Sequence, residues 1–526
     1  MMKMITRNVV KKNYYSDSVT LMLLSSRIAK MDGVKEAAVM MATEHNKELM
    51  MRSGLLLPEA KTATPNDMII AVTAEDEKSV EAALQTVEEY FAEEGKSQAS
   101  FEDEMVITRT QDTAVRTLPG ANLALISVPG RYAANEASKA LDNNLHVLLF
   151  SDNVILEEEK ELKEKGAAKG LLMMGPDCGT AIINGVGLGF ANSVRRGPIG
   201  LVAAAGTGLQ EVTCLIDKLG GGISQGIGTG GRDVKAAIGG TMMLMGLKAL
   251  AADPATRVIV LISKPPEDAV LVSLSEALKS VAKPVVTCFL GARVDVAGEN
   301  VYPVRTLQEA ALKAVELSGL AGDNVANFII PDNLLQQTAA VEAGRFSGQQ
   351  KYLRGLYSGG TLCSEAIYVL EPLIGNIYSN VAPAAQYLLS DPETSKEHTL
   401  IDMGEDYFTD GRPHPMIDPS YRAERLRREA LDPETAVILL DVLIGYGSHA
   451  DPAGALVPAI VEAKEEAAAA GRYLSVVASV CGTPGDPQDL AQQEEKLREA
   501  GVILMPSNAQ AALLAATIIK SCSNTR

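Results

Sequence analysis

The residues with the clearest chemical potential are glycines that follow a short apolar run. The stretch LVAAAGTGLQEV places Gly206, Thr207 and Gly208 between a strand-like run and apolar residues at helical spacing. At such a turn the bare N–H groups and the positive end of the helix dipole face a ligand, and glycine lets a phosphate approach the backbone. The turn is therefore predicted to bind an anion. The alternative is an ordinary βα turn that uses glycine for its φ angle.

Two further Gly-rich turns flank this one in the chain, GPDCGT with Cys178 and GTGGRD with Arg232. Parallel α/β sheets present such loops at the carboxyl ends of their strands, where these folds bind ligands. Arg232 is predicted to hold a phosphate or carboxylate through its planar guanidinium, and an ion pair with Asp233 is the alternative. Cys178 is predicted to line the substrate pocket as a small buried residue, and a nucleophilic role is the alternative.

Charged residues at other loops extend the candidate set. Lys264 follows the run RVIVLIS and precedes two prolines. The prolines fix it at the rim of the sheet, where it is predicted to place a positive charge beside a phosphate. His449 in GYGSHADP is predicted to act as acid or base, unless it is structural. Arg412 and His414 in GRPHP are predicted to hold an oxamate-like carboxylate, unless they only join domains. The candidate catalytic residues are therefore Arg232, Lys264 and His449.

Two aspartates also lie at strand ends, Asp402 and Asp441. A carboxylate at such a position either caps a helix or binds Mg²⁺. The sequence leaves both roles open.

The elements that must position these residues alternate between strand and helix patterns from Asn122 onward. The plan of residues 194–320 is repeated by residues 346–526, where YLRGLYSGGTLCSEA echoes IGLVAAAGTGLQEV and AVILLDVLIG echoes RVIVLISKPP. Two copies of one fold imply a face-to-face pair. The second copy has its own turn, Ser358-Gly359-Gly360-Thr361, so two helix starts are predicted to converge on one anion.

The predicted fold class is a multidomain α/β protein. Its segments are a ferredoxin-like unit at 1–95, a Rossmann-like domain at 96–193, a flavodoxin-like domain at 194–320, a linker at 321–345 and a second flavodoxin-like domain at 346–526. The net charge of −18 argues against nucleic-acid or anionic-membrane partners. No long apolar run or signal-peptide core is present, which predicts a cytoplasmic protein. The six cysteines form no CxxC pair, so neither a disulfide framework nor a zinc site is predicted.

GPDCGT, VAAAGTG, GIGTGG and the duplicated unit resemble succinyl-CoA synthetase, with domains of both its subunits fused in one chain. Over residues 8–520 the chain is similar to the FdrA family, through LPGANLALISVPGRYA, GGRD, SKPP, IDMGEDYFTDGRPHPMIDP and GTPGDPQ in that order. The resemblance implies a CoA-binding domain at 96–193 and two CoA-ligase domains after it. It also implies that Gly206–Gly208 and the turn from Ser358 to Thr361 bind phosphate or acyl phosphate.

The chain departs from the synthetase where that enzyme has its phosphohistidine, because residues 291–304, GARVDVAGENVYPV, contain no histidine. The nucleotide-grasping domain is also missing. The FdrA family includes subunits of oxamate carbamoyltransferase, which converts oxalurate and phosphate to oxamate and carbamoyl phosphate in purine (allantoin) catabolism. That function, with partner subunits, is the main expectation. An acyl-CoA synthetase and a non-catalytic CoA- or metabolite-sensing scaffold are the alternatives. CoA, Mg²⁺ and a homo-oligomer stay open.

Overall fold

The computed structural model describes residues 4–99, 108, 110–320 and 323–524. These residues form two compact units. The first unit contains the chain up to Thr110 together with Asp406–His414. The second contains Gln111–Glu405 and Pro415–Arg526. No helix among the described residues combines the length and apolar character that crossing a bilayer requires.

The first unit is a small α+β fold with an antiparallel sheet in the order β1-β3-β2. Its elements are β1 (Ile5–Lys11), α1 (Ser18–Ala29), β2 (Val34–Met41), α2 (Glu44–Arg52), β3 (Met68–Ala74) and α3 (Glu77–Ala99). Leu24, Ile28, Ile70 and Val72 belong to its own apolar core. The ferredoxin-like prediction is confirmed, with α2 as an unpredicted addition. Helix α3 continues beyond the predicted boundary at 95, to Ala99.

The second unit begins with a three-stranded parallel sheet of Rossmann-like βαβ character. Its elements are α4 (Gln111–Thr117), β4 (Leu123–Ile126), α5 (Gly130–Asp142), β5 (His146–Leu149), α6 (Leu156–Lys169) and β6 (Met173–Met174), with strand order β4-β5-β6. The short, apolar strands are covered by α5 and α6, as the sequence predicts for a doubly wound sheet.

A seven-stranded sheet follows in the order β13-β12-β11-β9-β10-β7-β8. Its elements are β7 (Thr180–Ile183), β8 (Val186–Gly189), β9 (Arg196–Ala204), α7 (Gly206–Lys218), β10 (Ile223–Gly228), α8 (Thr241–Ala252), β11 (Val258–Ser263), α9 (Asp268–Leu278), β12 (Val285–Phe289), β13 (Val301–Val304) and α10 (Leu307–Ser318). The antiparallel hairpin β7–β8 pairs with β10. This sheet therefore includes residues that lie before the predicted boundary at 193.

The last sheet has the order β15-β16-β14-β17-β18-β19. The elements from residue 323 onward are α11 (Asp323–Ala326), α12 (Asp332–Ala343), β14 (Tyr352–Tyr357), α13 (Gly360–Ile374), β15 (Tyr378–Ser379), β16 (Thr399–Asp402), α14 (Asp406–Thr409), α15 (Ser420–Leu431), β17 (Thr435–Leu443), α16 (Pro452–Ala469), β18 (Ser475–Cys481), α17 (Leu490–Glu499), β19 (Ile503–Met505) and α18 (Asn508–Asn524).

The two larger sheets share one strand order. The run β13-β12-β11-β9-β10 corresponds strand for strand to β19-β18-β17-β14-β16. Apolar residues of both copies pack in one core, including Leu209 of α7, Val315 of α10, Leu362 of α13 and Leu514 of α18. The predicted duplication and face-to-face packing are therefore present.

The predicted linker at 321–345 is largely helical. Within it α12 places Leu335, Ala339 and Ala343 against α18 and the shared core. Their spacing of one helical turn is the sequence signal that the linker interpretation overlooked.

Candidate functional site

Helices α7 and α13 begin side by side, one from each copy. The N–H of Thr361 donates to Thr207 Oγ1 at 3.2 Å. A Cβ built on Gly208 would lie 2.9 Å from Thr361 Cγ2. The glycines of both turns have ordinary negative φ angles, since none is among the positive-φ residues. Close approach therefore requires glycine at position 208, whereas position 206 has room for a Cβ. The alternative that these glycines supply a positive φ angle is wrong.

The start of α7 offers unused donors. The N–H groups of Gly206, Thr207 and Gly208 lie in the first turn, where a helix supplies no acceptor. Within the described part of the chain they meet no other acceptor. Gly206 is exposed and Thr207 is half-buried, so a ligand can reach these groups. The start of α7 thus has the donors that an anion site needs.

The start of α13 is partly occupied by a carboxylate of the protein. Asp441, two residues before the last residue of β17, accepts the N–H groups of Ser358 at 2.9 Å and Gly359 at 2.7 Å. Arg422 lies 2.7 Å from the same carboxylate, and all of these residues are buried. Asp441 therefore caps the turn that leads into α13, and the described residues contain no group of three or more histidine, cysteine, aspartate or glutamate side chains that could hold a metal ion there. The backbone donors of Ser358 and Gly359 do not face a ligand, and Gly360 keeps the open N–H of this turn.

The carboxyl group of Asp402 lies directly in front of α13. A Cβ built on Gly360 would lie 2.4 Å from Asp402 Oδ2. The other oxygen, Oδ1, accepts the N–H of Gly404 at 2.9 Å. Burial, followed by the negative charge of Glu405, raises the pKa of Asp402 to about 7. This carboxyl group can therefore gain or lose a proton near neutral pH.

Lys264 extends from the end of β11 in the first copy and is exposed. Its positive charge partly offsets the rise that burial causes in the pKa of two residues of the second copy, Asp402 and Cys363. The structure thus brings Lys264 near the start of α13, where a phosphate-side charge was predicted. Its catalytic role stays a prediction.

Arg232 is engaged away from the two helix starts. Its Nε lies 2.7 Å from Glu159 of α6, and its Nη2 donates to the carbonyl of Val154. Asp233 instead pairs with Lys163 at 2.9 Å and accepts the N–H groups that begin α8. The alternative pair between Arg232 and Asp233 does not form. The contacts of Arg232 tie β10 to the Rossmann-like part of the unit.

Cys178 lies where the loops GPDCGT and GTGGRD meet, and its side chain is buried between them. Its thiol is buried, and burial raises its pKa to about 12. A Cβ built on Gly228 would touch its sulfur. The side chain therefore packs GPDCGT against GTGGRD and does not fit the nucleophile alternative. All six cysteines are buried and unpaired by disulfides.

The remaining predicted residues lie on loops. His449 Nδ1 accepts the N–H of Asp451 at 3.0 Å, and its backbone is held by Met416 and Gln488. Arg412 and His414 belong to the first compact unit, whereas the helix starts belong to the second. Burial lowers the pKa of His414 to about 4, so its imidazole is neutral at pH 7. Substrate contacts of these three residues remain predictions.

Two buried glutamates under the helix starts were missed at the sequence level. Glu211 of α7 accepts the N–H of Asn508, the first residue of α18, at 3.1 Å. Glu365 of α13 accepts the N–H of Leu307, the first residue of α10, at 2.6 Å. Each copy thus caps a helix of the other. The matching final letters of GTGLQE and GTLCSE are the signal that could have found this pair.

Comparisons with known proteins identify relatives of both units. Residues 356–518 match the CoA-ligase family, and residues 2–106 match the AllF heavy metal-associated domain. YahF of Escherichia coli K12 is 47% identical over 515 residues, which cover 97% of this chain and 98% of YahF. The ADP-forming succinate–CoA ligase subunit alpha of Aquifex aeolicus is 28% identical over 215 residues, 38% of this chain and 68% of that subunit.

Among solved structures, the dinucleotide-forming acetyl-coenzyme A synthetase 1 of Ca. Korarchaeum cryptofilum matches 78% of this chain and 84% of its own. The identity is 15% and the TM-score 0.29, so this likeness carries no argument about the site.

The first unit lacks the thiolate ligands that bind many heavy metals. Residues 2–106 contain no cysteine and a single histidine, His45. Of the soft ligands that select such metals, thiolates and thioethers, only methionine thioethers are present in this segment. The described residues also contain no group of three or more histidine, cysteine, aspartate or glutamate side chains that could hold a metal ion.

Proposed function

Because this chain belongs to the family of the Escherichia coli protein YahF and carries a CoA-ligase domain, we propose that it transfers acyl groups between coenzyme A and phosphate. The observation that carries this proposal is the pair of helix starts, one from each copy, with open N–H groups at Gly206, Thr207, Gly208 and Gly360. Such donors stabilise a phosphate or acyl phosphate.

The proposed reaction is a CoA-ligase half-reaction. Phosphate attacks an acyl-CoA thioester, the C–O bond forms, the C–S bond breaks, and an acyl phosphate and CoA result. The proposal needs no phosphohistidine, in agreement with the histidine-free stretch 291–304. In this stretch Asp295 pairs with Arg305 through two contacts of 2.7 Å. Lys264 would supply positive charge beside the transferred group.

Carbamoyl transfer between phosphate and oxamate is a second candidate. The missing histidine favours it, because this chemistry also uses an acyl-phosphate pocket without a phosphoenzyme, and the FdrA resemblance includes such enzymes. Partner subunits belong to both proposals, since the succinate–CoA ligase relatives are named as subunits.

The test is calorimetric binding of phosphate, followed by turnover assays, for the full chain and the Gly206→Val variant. Gly206 is exposed, and a Cβ there would lie 3.7 Å from Thr180 Oγ1, so Val fits the fold. Its methyl groups would stand before the open N–H groups. Binding should weaken at least about tenfold, the effect of losing one charge-assisted hydrogen bond.

Gly348→Val is the matched control, because Gly348 is exposed on a loop with no neighbour within 4 Å of its Cβ position. Release of CoA from succinyl-CoA or sulfoacetyl-CoA by phosphate would support the first candidate. Carbamoyl phosphate from oxalurate would support the second. Phosphate binding that is equal in both variants would place the anion site elsewhere, and binding without turnover would favour the sensing scaffold.

A further inference from the structure

One carboxyl oxygen beside the paired helix starts has no hydrogen-bond partner among the described residues. Asp402 is 3% exposed, and its Oδ2 makes no hydrogen bond within the described part of the chain. That oxygen faces the first residue of α13, as the 2.4 Å approach to the Cβ position of Gly360 shows. Buried polar oxygens are normally satisfied. Oδ2 is not among the fully enclosed side-chain atoms of the described residues that lack a partner. A ligand atom can therefore reach this oxygen beside the open N–H group of Gly360.

The comparison with Asp441 shows why the two carboxyl groups differ. Asp441 accepts two backbone N–H groups and the Ser358 hydroxyl, and it contacts Arg422. Asp402 accepts a single backbone N–H, from Gly404. Hydrogen bonds and positive charges of this kind favour the ionised form of a carboxyl group. Asp402 lacks most of these donors, and burial raises its pKa to about 7.

Burial and the charged groups around Asp402 determine its pKa. Burial raises its pKa most, followed by the charge of Glu405 on the same loop. Lys264 from β11 lowers the pKa, and Asp441 from β17 raises it. The resulting value of about 7 means that the carboxyl group is a hydrogen-bond donor below neutrality and a repelling charge above it.

Resting on the proposed phosphate site, we propose that Asp402 binds the anion directly and as a carboxylic acid. Its Oδ2–H donates to an oxygen of the phosphate or acyl phosphate that also accepts the N–H of Gly360. The ionised carboxylate repels the same anion from this N–H. Binding above neutral pH therefore takes up one proton, from solvent to Asp402.

Sulfate is the probe, because its charge is constant between pH 6 and pH 8 whereas that of phosphate changes. If only the protonated form binds, the affinity of the full chain should fall about tenfold from pH 6 to pH 8, following the competent fraction. Titrations in buffers of different ionisation enthalpy should show uptake of about 0.9 proton per sulfate at pH 8 and about 0.1 at pH 6.

Asp402→Asn replaces the acid with a permanent donor of the same shape. This variant should bind sulfate at both pH values as the parent does at pH 6, without proton uptake. Glu405→Gln is the matched control, since it removes a neighbouring negative charge and keeps Asp402. It should retain proton uptake and move the midpoint to lower pH.

The outcomes separate this inference from the function on which it rests. A parent chain that binds neither sulfate nor phosphate overturns both. Binding that Gly206→Val weakens, but without proton uptake at pH 8 or with the same pH dependence in Asp402→Asn, overturns the role of Asp402 alone. An unchanged midpoint in Glu405→Gln also overturns it.

Discussion

Asp402 and Asp441 show how neighbouring groups give one residue type two roles. Asp402 is the last residue of β16, and Asp441 lies near the end of β17. Asp441 accepts two backbone N–H groups and pairs with Arg422, while Asp402 accepts one backbone N–H and has a pKa that burial raises to about 7. The role of each carboxyl group follows from the number of donors that the fold brings to it.

Replacing Asp441 with Asn should destabilise the second unit by about 3–5 kcal/mol, because it leaves the buried Arg422 without its counter-charge. An amide oxygen also cannot replace both carboxylate oxygens as acceptor for Ser358 and Gly359. Denaturant unfolding measures the change. The matched Asp402→Asn variant should differ from the parent by less than about 1 kcal/mol. Equal stability of the two variants would contradict the cap assignment.

At the scale of elements, the starts of α10 and α18 depend on the opposite copy. Glu211 and Glu365 are buried, and each accepts the first N–H of a helix that its own copy does not contain. A helix start buried without such an acceptor would leave its N–H groups unsatisfied. The two copies are therefore joined by reciprocal hydrogen bonds as well as by apolar packing.

Glu365→Ala should lower stability by about 2–4 kcal/mol, as the sum of a lost helix cap and an unsatisfied buried amide at Asn508. Glu309→Ala is the control. Glu309 also supports the start of α10, in an exposed capping box. Its loss should cost less than about 1 kcal/mol. Thermal unfolding of the two variants measures the difference, and a smaller effect of Glu365→Ala would contradict the proposed joint.

Local patterns were sufficient to predict most elements of this fold. Strand, Gly-rich turn and helix follow one another within a few residues, so the starts of α7 and α13 and the repeat were visible in the chain. Long-range partners were not. Arg232, which follows β10, contacts Glu159 of α6, a helix that packs on a different sheet. Arg422 lies in SYRAERLRREAL, whose charges are typical of a solvated helix, although Arg422 itself is buried. Such contacts depend on packing that local spacing does not encode.

At the scale of the molecule, the two compact units have separate apolar cores. The facing copies share one core, which contains Leu362, while the first unit has its own, which contains Ile70. Residues within a shared core lose their packing together. The copies should therefore unfold as one cooperative unit, and the first unit independently.

Calorimetry of Leu362→Ala and Ile70→Ala tests this division. Each substitution removes a large buried side chain and should cost about 2–5 kcal/mol. Leu362→Ala should shift the transition of both copies together, and Ile70→Ala only that of the first unit. Two separate transitions for the copies, or a shift of every transition in both variants, would contradict the assignment.

The contact between Thr207 and Thr361 joins residues of one polypeptide. A pocket assembled from separate subunits empties when the enzyme is diluted below its dissociation constant, whereas covalent linkage holds the two halves at a fixed, high effective concentration. Because both copies lie in one chain, they are always present in a one-to-one ratio. The proposed anion pocket should therefore persist at any protein concentration at which the chain stays folded.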